Sequence, residues 1–260
     1  MKVRQRPETF ADHYSQARQF YVSQTPTEQQ HIQAALVFEL SRCEIPAIRE
    51  RMVAHLMNID DALAGAVAKG PGLRKLPKAA PPAREPITDL PASPSLSILL
   101  NGPQRFEGRK LGLLVTDGVD ARLLAAVKAA AEKAGGVVEC VAPRIAGISD
   151  SEGQPVAVNY KLEGGPSVIF DAVAILPGPG GGAWLAQQPP ARDFVADAFA
   201  HNKFIAYRDD EVMPLFEKAG TAESLDEGCV ALAKPADAKA FIATCGGLRF
   251  WQRQPPPELA

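Results

Sequence analysis

Leu111-Gly112-Leu113-Leu114-Val115-Thr116-Asp117-Gly118-Val119-Asp120 is the stretch that decides the fold class. Its apolar run has the length of a buried strand and stops at Asp117-Gly118, a turn pair. Asp120 can then cap a helix running to Lys133, with Leu124, Val127 and Ala131 on one face. Gly135-Gly136 ends that helix, and Val137 to Val141 reads as the next strand. The alternation continues. Ala172 to Leu176 is a buried strand ending in Pro177-Gly178-Pro179-Gly180-Gly181-Gly182. A helix around 190–201, a strand Phe204 to Tyr207, a helix after Asp210 and a short strand Cys229 to Leu232 follow. Pro235 opens a final helix. Between the second and third strands, residues 147–170 read as β-hairpin material, with a turn at 151–154 and alternating Val156, Val158, Tyr160 and Leu162. Such alternation predicts an α/β fold built on a doubly wound parallel sheet.

Upstream the pattern is purely helical over 8–70. Thr25-Pro26-Thr27-Glu28 is a start signal, with Thr25 as N-cap, Pro26 at the first helical position and Glu28 closing a capping box. Ile32, Ala35, Leu36 and Leu40 then form an apolar stripe. Pro46 can open another helix bearing Ile48, Met52 and Leu56. A shorter one runs from about Asp60 to Lys69, with Gly70 placed as its C′ residue. Four short helices make a small core, and their stripes call for another surface to cover them.

Eight of the 23 prolines fall between Pro71 and Pro103. Proline fixes φ and disfavours helix in the residue before it, so this stretch is an extended, semi-rigid connector. Leu96, Ile98, Leu99 and Leu100 near its end are placed to anchor it. The boundaries expected are 1–70 helical, 71–106 linker and 107–260 α/β domain.

Composition removes several function classes. The chain has 260 residues, 46% hydrophobic and 22% charged, with a net charge of −2. No basic field marks a nucleic-acid or membrane-surface partner. No apolar stretch approaches the ~18 residues of a membrane span. The polar start MKVRQRPETF lacks an apolar leader core, which points to a cytoplasmic protein. Cys43, Cys140, Cys229 and Cys245 form neither a zinc pattern nor a disulfide framework, and read as free thiols.

Candidate chemistry is sparse. The run Gly178 to Gly182 lacks a following Lys-Ser/Thr and fails the dinucleotide pattern because position 183 is Ala. It reads as a structural turn, with an anion-binding backbone as the alternative. The turn after Phe204–Tyr207 is where α/β hydrolytic folds place a nucleophile, but it reads Arg208-Asp209-Asp210, and no His follows His201. Asp209 and Asp210 are either paired carboxylates or helix caps. His13, His31 and His55 sit in the helical segment without a carboxylate pattern, as surface or core histidines. Phe10, Tyr14, Phe20 and Tyr21 read as packing residues.

Thr9-Phe10-Ala11-Asp12-His13-Tyr14-Ser15-Gln16-Ala17-Arg18-Gln19-Phe20-Tyr21 resembles the segment of haem catalases that follows the haem barrel and wrapping loop. Thr27–Ile32, Phe38–Ser41 and Arg49–Val53 are similar to the catalase C-terminal helical region. Ser95-Leu96-Ser97-Ile98-Leu99-Leu100-Asn101-Gly102 resembles the linker of large-subunit catalases, and Val115–Asp120 the start of their extra C-terminal domain. The resemblance covers essentially the whole chain as an ordered set. It implies a flavodoxin-like domain akin to class I glutamine amidotransferases and PfpI-type proteases. Asp209 stands about where those relatives carry a cysteine nucleophile, and Leu123 near the place of their acidic partner. The family's haem chemistry belongs to a barrel upstream of residue 1, which makes the chain a piece of a longer protein. No catalytic, cofactor-binding or metal-ligating residue is therefore assigned, and His13, Tyr14 and Tyr21 receive no catalytic role. The resemblance implies that the parent disproportionates hydrogen peroxide at haem. In the family the extra domain covers the region where small-subunit catalases hold NADPH, contributes to tetramer stability and shapes substrate access. The partners implied are the haem barrel and the other subunits of a homotetramer. Unfolded client proteins are the alternative, through a holdase-like activity of exposed helical stripes. An amidotransferase-like hydrolase or glyoxalase is the remaining option.

Overall fold

Four residues of β1 (Lys110–Val115) pair on both sides with parallel neighbours, and Leu111 to Val115 is buried throughout. The computed structural model describes residues 2–254, with the side chains of Asp209 and Asp210 left out. It divides into two units, 1–102 and 103–260.

In the second unit, β1 leads through Asp120, whose carboxylate accepts from Leu123 N at 2.9 Å, into α6 (Ala121–Lys133). The strands that follow are β2 (Val137–Ala142), β3 (Ile148–Ser149), β4 (Pro155–Val156), β5 (Tyr160–Lys161), β6 (Ala172–Leu176), β7 (Ile205–Tyr207) and β8 (Cys229–Ala231). The main sheet runs β5-β2-β1-β6-β7-β8 and every pairing is parallel. Without the edge strand β5 this is the flavodoxin-like order, reversing direction between β1 and β6. Helix α6 and α10 (Asp237–Thr244) cover one face, packing over Leu111, Leu113 and Ala174 with Phe241 of α10 in the layer. Helices α7 (Gly181–Ala186), α8 (Pro189–Ala200) and α9 (Asp209–Ala219) cover the other, packing Phe194 of α8 and Phe216 of α9 over Leu114 and Val173. A parallel sheet needs both covers, because its strands are apolar on both sides.

The expected hairpin over 147–170 is smaller than its alternation suggests. Only β3 and β4 pair antiparallel, two residues each. Tyr160 and Lys161 instead join β2 as the parallel edge of the main sheet. Period-2 alternation marks a strand, but not its partner.

The glycine run is where α7 enters this packing. A Cβ on Gly178 would fall on the Asp117 carbonyl oxygen, one on Gly181 on Thr116 Oγ1, and one on Gly182 on the Glu211 carbonyl oxygen of α9. The backbone approach is so close that only glycine fits. Gly180 has open space around it but a φ of +70°.

The first unit holds α1 (Ser15–Val22), α2 (Pro26–Ser41), α3 (Pro46–Leu56), α4 (Asp61–Lys69) and the single turn α5 (Ile98–Asn101). The capping box forms as the sequence predicts. Tyr21, Leu40, Val53, Leu56, Leu63 and Val67 make the core. The stripes are only partly covered. On α2, Leu40 is buried while Ala35 is exposed; on α3, Leu56 is buried while Ile48 stays exposed. Of the four aromatics expected to pack, Tyr14 and Tyr21 are buried, whereas Phe10 and Phe20 are exposed. Gly70 is not a left-handed C′ residue. Its φ is −59°, and it is small because Val37 presses against it; the left-handed glycine is Gly72.

The proline-rich stretch is extended and lies along these helices. Ile87 N donates to Ser15 Oγ at 2.7 Å, Ser93 N to Ser23 Oγ at 2.8 Å, and Arg18 Nε to the Thr88 carbonyl at 3.3 Å. Asn58 Nδ2 donates to the Ala80 carbonyl at 2.8 Å. Its far end is fastened by Glu28. Ser97 Oγ donates to Glu28 Oε2 at 2.7 Å, Leu99 N to Oε1 at 3.1 Å, and Thr25 N to Oε2 at 2.8 Å. Burial pushes this carboxyl up, but the hydrogen bonds from Thr25, Ser97 and Leu99 outweigh it and hold it at about 2.

Two outcomes follow from these contacts. Folding favours ionised Glu28, so its stabilisation is complete above about pH 4.5, its ordinary value, and is lost as pH falls toward 2. Glu28→Gln is expected to cost about 1–2 kcal/mol at pH 7, after allowance for solvent screening, and to flatten stability across that acid window. Urea unfolding followed by circular dichroism at a series of pH values measures both; a variant as acid-sensitive as the parent would assign the acid step elsewhere. Gly182→Ala must push α7 and α9 apart and is expected to destabilise the second unit by about 2–4 kcal/mol. Gly180→Ala, strained only in its backbone, is expected to cost about 1–2 kcal/mol. Equal losses in urea unfolding would show that close approach is not what selects glycine at 182.

Candidate functional site

Open α/β sheets bind ligands outside the carboxyl ends of their strands, where the strand order reverses. Here that place lies between the segments leaving β1 and β6: Thr116-Asp117-Gly118 and Pro177-Gly178-Pro179-Gly180. The polar groups around it are mostly paired with one another. Asp117 Oδ2 accepts from Arg144 Nη2 at 2.7 Å, and its Oδ1 from Ser149 N at 3.0 Å. Asp120 Oδ2 accepts from Arg208 Nη1 at 3.0 Å. The amide of Ser149 and the Arg144 guanidinium hold the Asp117 carboxyl below its ordinary value; the amide of Leu123 and Arg208 do the same for Asp120. Gly178 N donates to Thr116 Oγ1 at 2.8 Å, and Gly180 N to Glu211 Oε2 at 2.9 Å. The anion-binding alternative for the glycine run is thus met in part from within: a carboxylate of α9 takes the Gly180 amide.

Asp209, expected at the place of a nucleophile, is the first residue of α9, and Arg208 comes just before it. The Arg208 φ of −89° and ψ of 111° are extended. Arg208, not Asp209 or Asp210, is the N-cap residue of α9, and it makes no capping bond with its side chain. The side chains of Asp209 and Asp210 lie outside the described residues. Leu123 is buried against the sheet, where a catalytic acid would have no solvent.

The thiols are scattered. Cys140 is buried on β2 and Cys245 is buried after α10; burial pushes both upward. Burial also raises Cys229 on β8, against the opposing pull of the Asp226 amide and Arg253. None of the three is driven toward the thiolate that nucleophilic cysteines use. Cys43 is half-buried in the helical unit, its Sγ 3.7 Å from the Glu39 carbonyl. His55 Nδ1 lies 2.8 Å from the Tyr14 hydroxyl, with the two rings stacked. His13 meets Phe10 and Tyr14 edge-on. His201 Nδ1 lies 2.7 Å from the Asp197 carbonyl. Among the described residues, no group of three or more His, Cys, Asp or Glu is arranged to hold a metal ion, and no helix is long and apolar enough to cross a membrane.

Between these paired groups a cleft of about 330 Å³ remains, lined by Thr116, Asp117, Pro143, Arg144, Pro179 and Trp184, with Gly180 and Gly181. Asp117 is legible in the sequence as a turn residue only. Arg144 and Trp184 go unnoticed there, although each stands within a few residues of a turn or strand end, where such sheets present side chains.

Comparison with known proteins places the chain. Residues 7–70 match the family model described as catalase-related immune-responsive, and residues 107–255 match that of the C-terminal domain found in long catalases. Catalase C of Rhizobium meliloti is 53% identical over 258 residues, covering 99% of this chain and 36% of the relative. Catalase HPII of Mycobacterium avium is 34% identical over 97% of this chain and 37% of the relative, and Catalase-2 of Bacillus subtilis 30% identical over 97% and 36%. The chain spans just over a third of the length of these curated relatives. The flavodoxin-like sheet and these matches together make the chain a member of the long-catalase family, corresponding to the C-terminal part of the large subunit.

Proposed function

We propose that the chain is an accessory part of a haem-dependent enzyme that disproportionates hydrogen peroxide to water and oxygen, acting in stability, oligomerisation and substrate access. The observation that carries this reading is on the helical unit. Phe10, Phe20, Phe38, Ile45 and Ile48 are 42–61% exposed around a core of only a few buried side chains. Apolar surface of that extent calls for a partner surface. The partner proposed is the haem-binding part of the same enzyme, within a homotetramer in the cytoplasm. The domain reading is 1–70 as the catalase helical segment, 71–106 as linker and 107–260 as the flavodoxin-like domain.

Neither Tyr14 nor Tyr21 fits the role of a haem ligand. The Tyr14 hydroxyl is taken by His55, and the Tyr21 hydroxyl accepts from Gln33 Nε2 at 2.9 Å. Both phenols are buried in packing rather than presented to a ligand, so no step of the peroxide reaction is assigned to them. The family's chemistry would belong to the haem-binding part, and this chain would supply surface.

The same exposed side chains support a second reading, a holdase-like module that covers unfolded clients. The two readings separate experimentally. A catalase body ending ahead of the helical segment is expected to gain thermal stability and tetramer content when this chain is supplied, while the chain alone shows neither a Soret band nor oxygen release. A stoichiometric Soret band with oxygen release from the chain alone would overturn the accessory role. Suppression of client light scattering by the chain, lost in Phe10→Ser/Phe38→Ser, with no effect on the catalase body, would favour the holdase.

A further inference from the structure

We propose that the cleft at the strand-order reversal, between Asp117, Arg144 and Trp184, is a binding site for a 6-oxopurine base. The inference does not rest on the role proposed above. The cleft volume, about 330 Å³, is at the small end of ligand sites and suits one planar ring system. Trp184 is 45% exposed and lines the cleft with Pro143 and Pro179, so the site has an indole available for stacking and apolar rings in its wall.

The polar edge then selects the ring. Arg144 gives one Nη2 hydrogen to Asp117, and its guanidinium has no other hydrogen bond among the described residues. A guanidinium carries five N–H donors in a planar fork, so a second two-donor edge remains free. Asp117 is ionised and can only accept; each of its oxygens has one partner and a lone pair to spare. The pair is half-exposed, with side-chain exposures of 61% and 50%, so its unused donors and lone pairs are open to a ligand that takes the place of water. Along this edge a ligand must therefore present two acceptors to Arg144 and, beside them, a donor to Asp117. N7, O6 and N1–H of a 6-oxopurine stand in that order on one contour of the ring. Arginine on O6 and N7 is a favoured pairing for such a base. A 6-aminopurine offers N7, a donor at N6 and an acceptor at N1, which mismatches at two of three positions. The cleft has no net charge, because Asp117 and Arg144 cancel, so it has no preference for an aromatic anion.

The test uses the 260-residue chain with inosine, adenosine and benzoate as probes, followed by quenching of tryptophan fluorescence and by ligand-observed NMR. Inosine is expected to bind saturably, with adenosine about tenfold weaker or more, and benzoate not competing. Trp184→Leu is expected to abolish inosine binding without loss of folded structure by circular dichroism. Asp117→Asn, which adds a donor, is expected to erase most of the preference for inosine. Equal binding of the two nucleosides, stronger binding of benzoate, or inosine binding that survives Trp184→Leu would each overturn the assignment. So would the absence of saturable inosine binding to the folded chain.

Discussion

The burial of β1 on both faces is the constraint on which the α/β unit depends. Leu111 and Leu113 point into one apolar layer and Leu114 into the other. Neither layer can face water, so α6 and α10 must close one side and α7, α8 and α9 the other. Closing the second side forces α7 against α9 at backbone distance, and glycine at 182 is the local consequence; glycine at 178 and 181 answers instead to the segment leaving β1, at Asp117 and Thr116. The same closure leaves the strand ends as the places where polar groups collect.

Those ends are handled differently. At the carboxyl end of the sheet, Asp117 with Arg144, Asp120 with Arg208, and Glu211 with the Gly180 amide satisfy one another. At the other end, buried cations hold loop carbonyls. Arg109 donates to Cys245 and Gly246, Lys203 to Ser167 and Phe170, and Arg253 to Phe199 and Lys203 while pairing with Asp226. Burial, reinforced by the charge of Arg249, pulls the Lys203 ammonium down to about 8. At both ends of the sheet these charges hold strand ends and loops together. The cleft beside Trp184 is the part of that edge with bonding capacity left.

The helical unit follows a different logic. Its core is small, and the extended proline-rich stretch adds hydrogen bonds where apolar burial is limited. Proline suits that task because its restricted φ lowers the entropy lost when the stretch is laid down. Glu28 joins the two, serving at once as the capping-box acid of α2 and as the acceptor for Ser97 and Leu99. What remains exposed, Phe38 and Ile45 among others, is what a covered surface would use.

Much of this is legible in the chain itself. Local signals decided the strand Leu111–Val115, the Asp120 cap, the Thr25–Glu28 box and the helix opened by Pro46, because each depends on residues within a few positions of one another. The absence of Ser, Cys or His at the turn after Tyr207 is likewise a matter of sequence alone. Tertiary structure alone decided the partner of each strand, so Tyr160 and Lys161 became a parallel edge rather than half of a hairpin. It decided which side of a stripe is covered, leaving Ile48 and Phe20 out and bringing Tyr14 and Tyr21 in. It decided that Gly70 answers to Val37 rather than to a turn, and that Asp117 meets Arg144 across 27 residues. The physical reason is the same in each case: helix caps and strand runs are settled by short-range backbone geometry, whereas pairing, burial and charge neutralisation are settled by which distant surfaces the closed core brings into contact.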